Sequence, residues 1–216
     1  MRRERQSLAA DGVWREVIRL LGDCRGKKVL DAPAGSGMLS RAISGLGAEV
    51  YALDILSLGL RGLKGIQSDM NLTLPFRNEK FDNIICVEGI EHMENPAFLL
   101  REFSRIMKKK GTLIVTTPNT HNIRSRVKFV LTGFLYWFGD QALQKYGHIT
   151  PLFCHQLKHF SRNACFEILE ITSNRRSLWM RFLSPIFIIS GALFNESNNT
   201  GELLSGDILI LKMTKT

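Results

Sequence analysis

The sequence predicts an α/β fold built on a parallel sheet with helices on both faces. Short apolar runs bounded by Gly, Pro, Asp or Asn recur up to residue 118, and amphipathic helical patterns separate some of them. Several runs are apolar throughout rather than alternating, as strands covered on both faces must be. Bulk composition agrees: 216 residues, 44% hydrophobic and 23% charged, suit one globular domain and exclude a disordered chain.

The elements follow in order. Residues 1–25 read as one or two helical turns, because Val13, Val17, Leu20 and Leu21 form a stripe at spacings of three and four. "KVLDA" (28–32), "EVYALDI" (49–55), "GIQSDM" (65–70), "FDNIICVE" (81–88) and "GTLIVTTP" (111–118) read as strands. "MLSRAISGLG" follows the first as a helix. "PAFLLREFSRIMKKK" is a second, opened by Asn95-Pro96 and stopped at Gly111, with Lys108–Lys110 as its basic last turn. After Pro118 the pattern breaks, and residues 119–150 are expected to form a helical cap inserted above the carboxyl ends of the strands. "PLFCHQLKHFSRNAC" then reads as a helix, "FEILEITS" as a sixth strand and "GDILILKMT" as a seventh. Between those strands an apolar insertion covers about 174–205, whose segment 178–194 is slightly short for a membrane span and is broken by Arg181 and Pro185. The whole of 1–216 is read as a single domain carrying these two insertions.

A formal net charge of +9 allows nucleic acid, anionic lipid or an acidic substrate as partner, although a solvated lysine-rich surface accounts for it equally well. The alternation of aromatic and basic residues used on single-stranded RNA is absent. The four cysteines, Cys24, Cys86, Cys154 and Cys165, show no C-x-x-C spacing, so no metal site is expected and a reducing, cytoplasmic setting is the simplest reading. The charged start lacks a long apolar run, so a signal peptide is not expected.

The chemistry centres on "VLDAPAGSG". In an open parallel sheet, ligands bind at the carboxyl ends of the strands. Asp31 ends the first strand there, and Gly35 and Gly37 let backbone approach a ligand closely; glycine also serves such turns for steric reasons alone. Asp54 ends the second strand, where it can accept both hydroxyls of a ribose or simply cap a helix. Asp69 ends the third, placed for an adenine amino group or for a turn. The fourth strand turns polar at Glu88, Glu91 and His92, which belongs in a site or at a capped helix start.

These segments, with "REFSRIMKKKGTLIVTTPN", stand in the order and spacing of class I S-adenosylmethionine-dependent methyltransferases, which residues 28–118 resemble throughout; "HFSRNACFEILEI" resembles the family's late helix and sixth strand. The family has glycine where this chain has Pro33, so a stiffer entrance to the loop is expected. The resemblance implies a Rossmann-like three-layer sandwich, a mostly parallel seven-stranded sheet with an antiparallel last strand. It also implies the cofactor S-adenosyl-L-methionine, with S-adenosyl-L-homocysteine as product. Asp31, Ala32, Ala34, Gly35, Ser36 and Gly37 would surround its methionine part, Asp54 the ribose, and Ile55, Asp69 and Met70 the adenine. Val87 and Glu88 would line the sulfonium side. A dinucleotide dehydrogenase is the rival, but Ser40 stands where its third glycine belongs, and Asp31 would repel a pyrophosphate.

Methyl transfer from a sulfonium needs alignment and exclusion of water, and a hydroxyl acceptor gains from a general base. His148 in "YGHITP" is the candidate base, with a structural histidine as the alternative; His92, His121, His155 and His159 read as structural. The cap mixes Arg124, Arg126 and Lys128 with large apolar residues, as core completion or as a basic-rimmed apolar groove. The expected function is O-methylation of a small-molecule or lipid- or saccharide-linked acceptor. RNA as acceptor is the alternative, though no appended RNA-binding domain fits this length. A non-catalytic binding partner of the same fold is another, against which Asp31, Asp54 and Asp69 argue. Segment 178–194 could meet a membrane peripherally at its inner face, a dimer partner or the core.

Overall fold

The computed structural model describes residues 2–56, 62–174 and 206–216, with side chains from Gly12 onward. Helix α1 spans Arg2–Leu21, longer than the turns expected. Then come β1 (Lys28–Asp31), α2 (Met38–Gly45), β2 (Glu49–Asp54), β3 (Lys64–Gln67) and β4 (Phe81–Cys86). A short 3-10 turn (Ile90–His92), α3 (Pro96–Ile106), β5 (Met107–Pro118), α4 (Ile123–Thr132) and α5 (Asp140–Tyr146) follow. The chain closes with α6 (Cys154–Asn163), β6 (Phe166–Ser173) and β7 (Ile208–Lys215).

The strands form one seven-stranded sheet in the order β3-β2-β1-β4-β5-β7-β6. β1 to β5 pair in parallel, whereas β7 runs antiparallel to both β5 and β6. Side chains alternate along each strand, so neighbours feed opposite cores. Leu30, Ile84, Leu113, Leu209 and Leu211 pack on α3 and α6 with Leu99, Phe103 and Leu157. Val29, Ile85, Ile114, Ile208 and Ile210 pack on α1 and α2 with Val13, Val17, Leu20 and Ile43. That double burial is why the strands read as continuous apolar runs.

Three expected boundaries move. Lys108–Lys110 do not end a helix: α3 stops at Ile106 and β5 begins at Met107. The amides of Glu79 and Lys80 take the carbonyls of Arg105 and Ile106, and Met107 pairs with Phe81, so the sheet captures the chain first. Lys108 then pairs with Asp82 at 2.7 Å. Likewise β3 ends at Gln67 and β4 at Cys86, leaving Asp69, Val87 and Glu88 in the loops just beyond.

Residues 119–150 hold α4 and α5. Their last part is fastened over the end of β4: the amides of Ile149 and Thr150 donate to the Glu91 carbonyl, and the Thr150 hydroxyl donates to the Met93 carbonyl at 2.7 Å. The expected apolar insertion, including 178–194, lies outside the described residues apart from Asn174. Among the described residues, no helix is long and apolar enough to cross a membrane.

Candidate active site

The loop after β1 is built from within. Ala32 and Ala34 donate their amides to the Ile85 and Leu53 carbonyls, and Gly35 and Gly37 turn the chain at φ 52° and 72°. Asp31 points under this loop: it is 1% exposed and accepts the Ser40 hydroxyl. Desolvation raises its pKa to about 7 against the lowering effect of Ser40, with the nearby Asp54 charge adding to the rise. Asp31 therefore supports the loop from below. Ala32, Ala34 and Gly37 are buried with it, and Gly35 and Ser36 are exposed.

A cavity of about 320 Å³ opens beside the loop, at the end of the sheet where the strand order reverses between β1 and β4. Asp54 and Ile55 border it from β2, and Ser68, Asp69, Met70 and Asn71 from the turn after β3. Pro33 and Gly89 meet across its floor, and a Cβ on Gly89 would sit 2.2 Å from the proline ring. Asp54 accepts the amides of Gly35 at 2.8 Å and Leu56 at 2.9 Å, one on each carboxylate oxygen. Asp69 accepts the amide of Asn71 at 2.8 Å, which closes the turn that carries Met70. A wider groove of about 620 Å³ runs along β6, the outer strand, far from these groups.

The remaining wall follows β4. Glu88 takes φ 48°, held by donation of its amide to the Thr116 hydroxyl at 2.9 Å. Its side chain reaches the cavity, where surrounding protein raises its pKa by desolvation. Val87 is partly buried and packs against the core on the α1 and α2 side of the sheet, and it is not among the residues bordering this cavity. Alternation past the strand end separates the two neighbours.

Behind the cavity sits a polar group that the sequence reading left unassembled. Glu91 is fully buried, and neither carboxylate oxygen has a hydrogen-bond partner among the described residues. Desolvation raises its pKa to about 8, with the Glu88 charge assisting. His92 borders the cavity and its Nδ1 lies 3.0 Å from the Gly147 carbonyl. His148, the expected base, stands behind His92 with ring centroids 5.0 Å apart, its Nδ1 3.0 Å from the Trp137 carbonyl. Burial lowers the His148 pKa, with His92 adding to that effect, so the ring is neutral near pH 7. Donor atoms of Glu91, His92 and His148 lie within 4.8 Å of one another. Glu91-His92 was visible as a polar pair, but its meeting with His148 needs the fold. His121 is structural: its Nε2 accepts the Cys154 amide, and burial lowers its pKa to about 4.

A family model for a methyltransferase domain matches residues 1–171. The chain belongs to the methyltransferase-domain family. A ubiquinone biosynthesis O-methyltransferase of Burkholderia thailandensis is 30% identical over 159 residues, covering 68% of this chain and 67% of that protein. One from Glaesserella parasuis is 31% identical over 109 residues, 44% of this chain and 46% of that protein. The chain thus spans under half the length of the first curated relatives it matches. In fold, this methyltransferase domain is similar to an S-adenosylmethionine-dependent methyltransferase of Archaeoglobus fulgidus, at TM-score 0.68 and 17% identity, over 98% of this chain and 94% of that one. Another from Mesorhizobium loti gives TM-score 0.63 at 16% identity, over 94% and 98% of the two chains.

Proposed function

We propose that this domain binds S-adenosyl-L-methionine in the cavity at the end of β1, β2 and β4 and methylates an oxygen of a small-molecule or lipid- or saccharide-linked acceptor. The observation that carries the reading is the meeting of Asp54, Ile55, Asp69, Met70 and Glu88 around one cavity at the reversal of strand order. Its volume lies within the roughly 300–1,000 Å³ of small-molecule sites. The donor set fits the group. Asp54 spends one lone pair of each oxygen on backbone amides, and a carboxylate oxygen has a second to offer a vicinal diol. Ile55, 60% exposed at the rim, and the Met70 side chain offer apolar faces for a flat base. Asp69 offers the edge of that base an acceptor. The exposed backbone of Gly35 and Ser36 serves the amino-acid end, with Asp31 and Ser40 as its support rather than its contact.

The bound group supplies a methyl already activated on a positively charged sulfur. The chain's task is then to hold the acceptor in line and keep water out, an arrangement able to supply about 7–11 kcal/mol of a barrier. Glu88 places carboxylate character beside the cavity. His148, neutral and with Nδ1 tied to a carbonyl, leaves Nε2 to take a proton. The cap supports an amphiphilic acceptor: Val130 and Leu131 are 82% and 76% exposed, and 119–139 contains Arg124, Arg126 and Lys128 but no acidic residue. A cytoplasmic site, meeting the inner membrane face peripherally, goes with this reading.

Calorimetry with S-adenosyl-L-homocysteine tests the cofactor assignment. Asp54→Asn should bind more than about tenfold more weakly, the scale of one lost charge-assisted hydrogen bond. Wild-type affinity in a variant with an unchanged melting temperature refutes the ribose role, and no binding by the folded wild type favours a non-catalytic domain.

A further inference from the structure

We infer that the edge of the sheet where β1 to β5 begin, opposite the cavity, binds the phosphate backbone of a nucleic acid without regard to its sequence. These five strands are parallel, so all of them start on one side of the molecule and end on the other. The chain enters them on cations. Lys28 opens β1, Lys64 opens β3, Lys80 precedes β4, and Lys108–Lys110 lie early in β5. Register sets these starts side by side: Lys28 pairs with Glu49, Lys64 with Tyr51, and Phe81 with Met107. At about 4.8 Å between neighbours, five strands make a basic row roughly 19 Å long.

The acids on this edge are already matched. Glu49 is paired with Lys64, Asp82 with Lys108 at 2.7 Å, and Glu79 lies 4.0 Å from Lys215. Lys27, Lys28, Lys109 and Lys110 form no ion pair among the described residues. Nor does Lys80, whose ammonium stands 4.0 Å from the centre of the Tyr51 ring, 4.7 Å from Phe76 and 5.3 Å from Phe81. Desolvation lowers its pKa, with Lys28, Arg77 and Lys64 adding to the fall and Glu49 opposing it. Cations therefore crowd one another here, and an anion laid along the row relieves that repulsion.

A row of point charges suits a linear polyanion, and a nucleic-acid strand carries a phosphate about every 3.4 Å of helix axis. Base stacking has no platform on this edge: Phe76 and Phe81 are buried, and the exposed rings of Phe129, Phe134 and Tyr136 belong to the cap. Contact with the backbone alone reads no sequence. A membrane suits this edge less well, since peripheral binding inserts apolar groups. Exposed apolar side chains gather instead at the tip of β2, as Ile55 and Leu56, and on α4, as Val130 and Leu131; Leu46 is the exception. A nucleic acid held here lies away from the cavity, so it is a partner of the domain and not its methyl acceptor. The inference therefore stands apart from the methyltransferase reading.

The test is fluorescence anisotropy of the tag-free full chain with a labelled single-stranded RNA of mixed sequence, about 20 nucleotides long to exceed the roughly 4–16 of typical sites. Across about 50–200 mM salt, log K should fall linearly with log salt at a slope near −3, as expected for about four phosphates at roughly 0.7 each. Lys27→Gln combined with Lys109→Gln should bind more than about tenfold more weakly at low salt and make the slope shallower by about 1.4. Both side chains are exposed, so the melting temperature should not change. Arg124→Gln combined with Lys128→Gln removes the same charge from the cap and should bind as the wild type does. Absence of RNA binding, equal weakening by the two double variants, or a slope unmoved in the first of them overturns the surface. So does loss of sedimentation with phosphatidylglycerol vesicles in the first variant while RNA binding persists, which assigns the edge to a membrane. Cofactor calorimetry at Asp54 reads separately from all of these.

Discussion

Asp31 shows how one residue's surroundings change its meaning. Its position at the tip of β1 suggests a ligand contact, yet its carboxyl is buried against Ser40 beneath the loop. Burial has a consequence in solution. The folded-state pKa, about 7, lies above the ordinary 3.8, so the folded protein holds this proton more tightly than the unfolded chain. The resulting stabilisation is complete below pH about 4 and is lost as pH rises through about 7. Each tenfold difference in proton affinity is worth about 1.4 kcal/mol. Asp31→Asn should therefore flatten the decline in stability of the cofactor-free protein between pH 4 and 8. Denaturant melts across that range would show it, and an unchanged pH slope contradicts the assignment. Asp54 and Asp69 were legible as residues near the cavity because Asp54 ends the apolar β2 and Asp69 lies two residues past the end of β3.

At the scale of elements, the strongest local signals were caps and periodicity. Asn95 accepts the Phe98 amide at 2.9 Å, and Pro96 occupies the first helical position, as the sequence announced. Asn95→Ala should cost about 1 kcal/mol, read as a lower urea midpoint at unchanged slope; a midpoint within error of wild type would mean that packing alone starts α3. The other end of α3 was not legible. Three lysines satisfy a helix C-terminus as well as they satisfy an exposed strand entrance. What decided between them was the pairing of Met107 with Phe81, a contact between segments 26 residues apart. The cap was read as helical, and α4 and α5 are, but its attachment to the turn after β4 runs through backbone bonds that no sequence pattern encodes.

Across the whole molecule, the last strand in sequence is not last in space. β7 enters between β5 and β6, so the sheet closes only when the segment 208–215 is in place. Ile210 is fully buried there, while Leu169 on the outer strand is 54% exposed. Ile210→Ala should destabilise the domain by about 2–5 kcal/mol, whereas Leu169→Ala should cost under about 0.5 kcal/mol. Equal losses in denaturant melts would show that the order of strands does not govern stability. By itself, the sequence determined the alternation of strand and helix, the doubly buried sheet and the acids at successive strand tips, because periodicity and turn chemistry act over a few neighbouring residues. Only the tertiary structure decided which acids face the cavity, where α3 yields to β5, and that Glu91 and His92 meet a histidine more than fifty residues away. Those outcomes depend on desolvation and on pairing between distant segments, and both exist only once the chain has closed on itself.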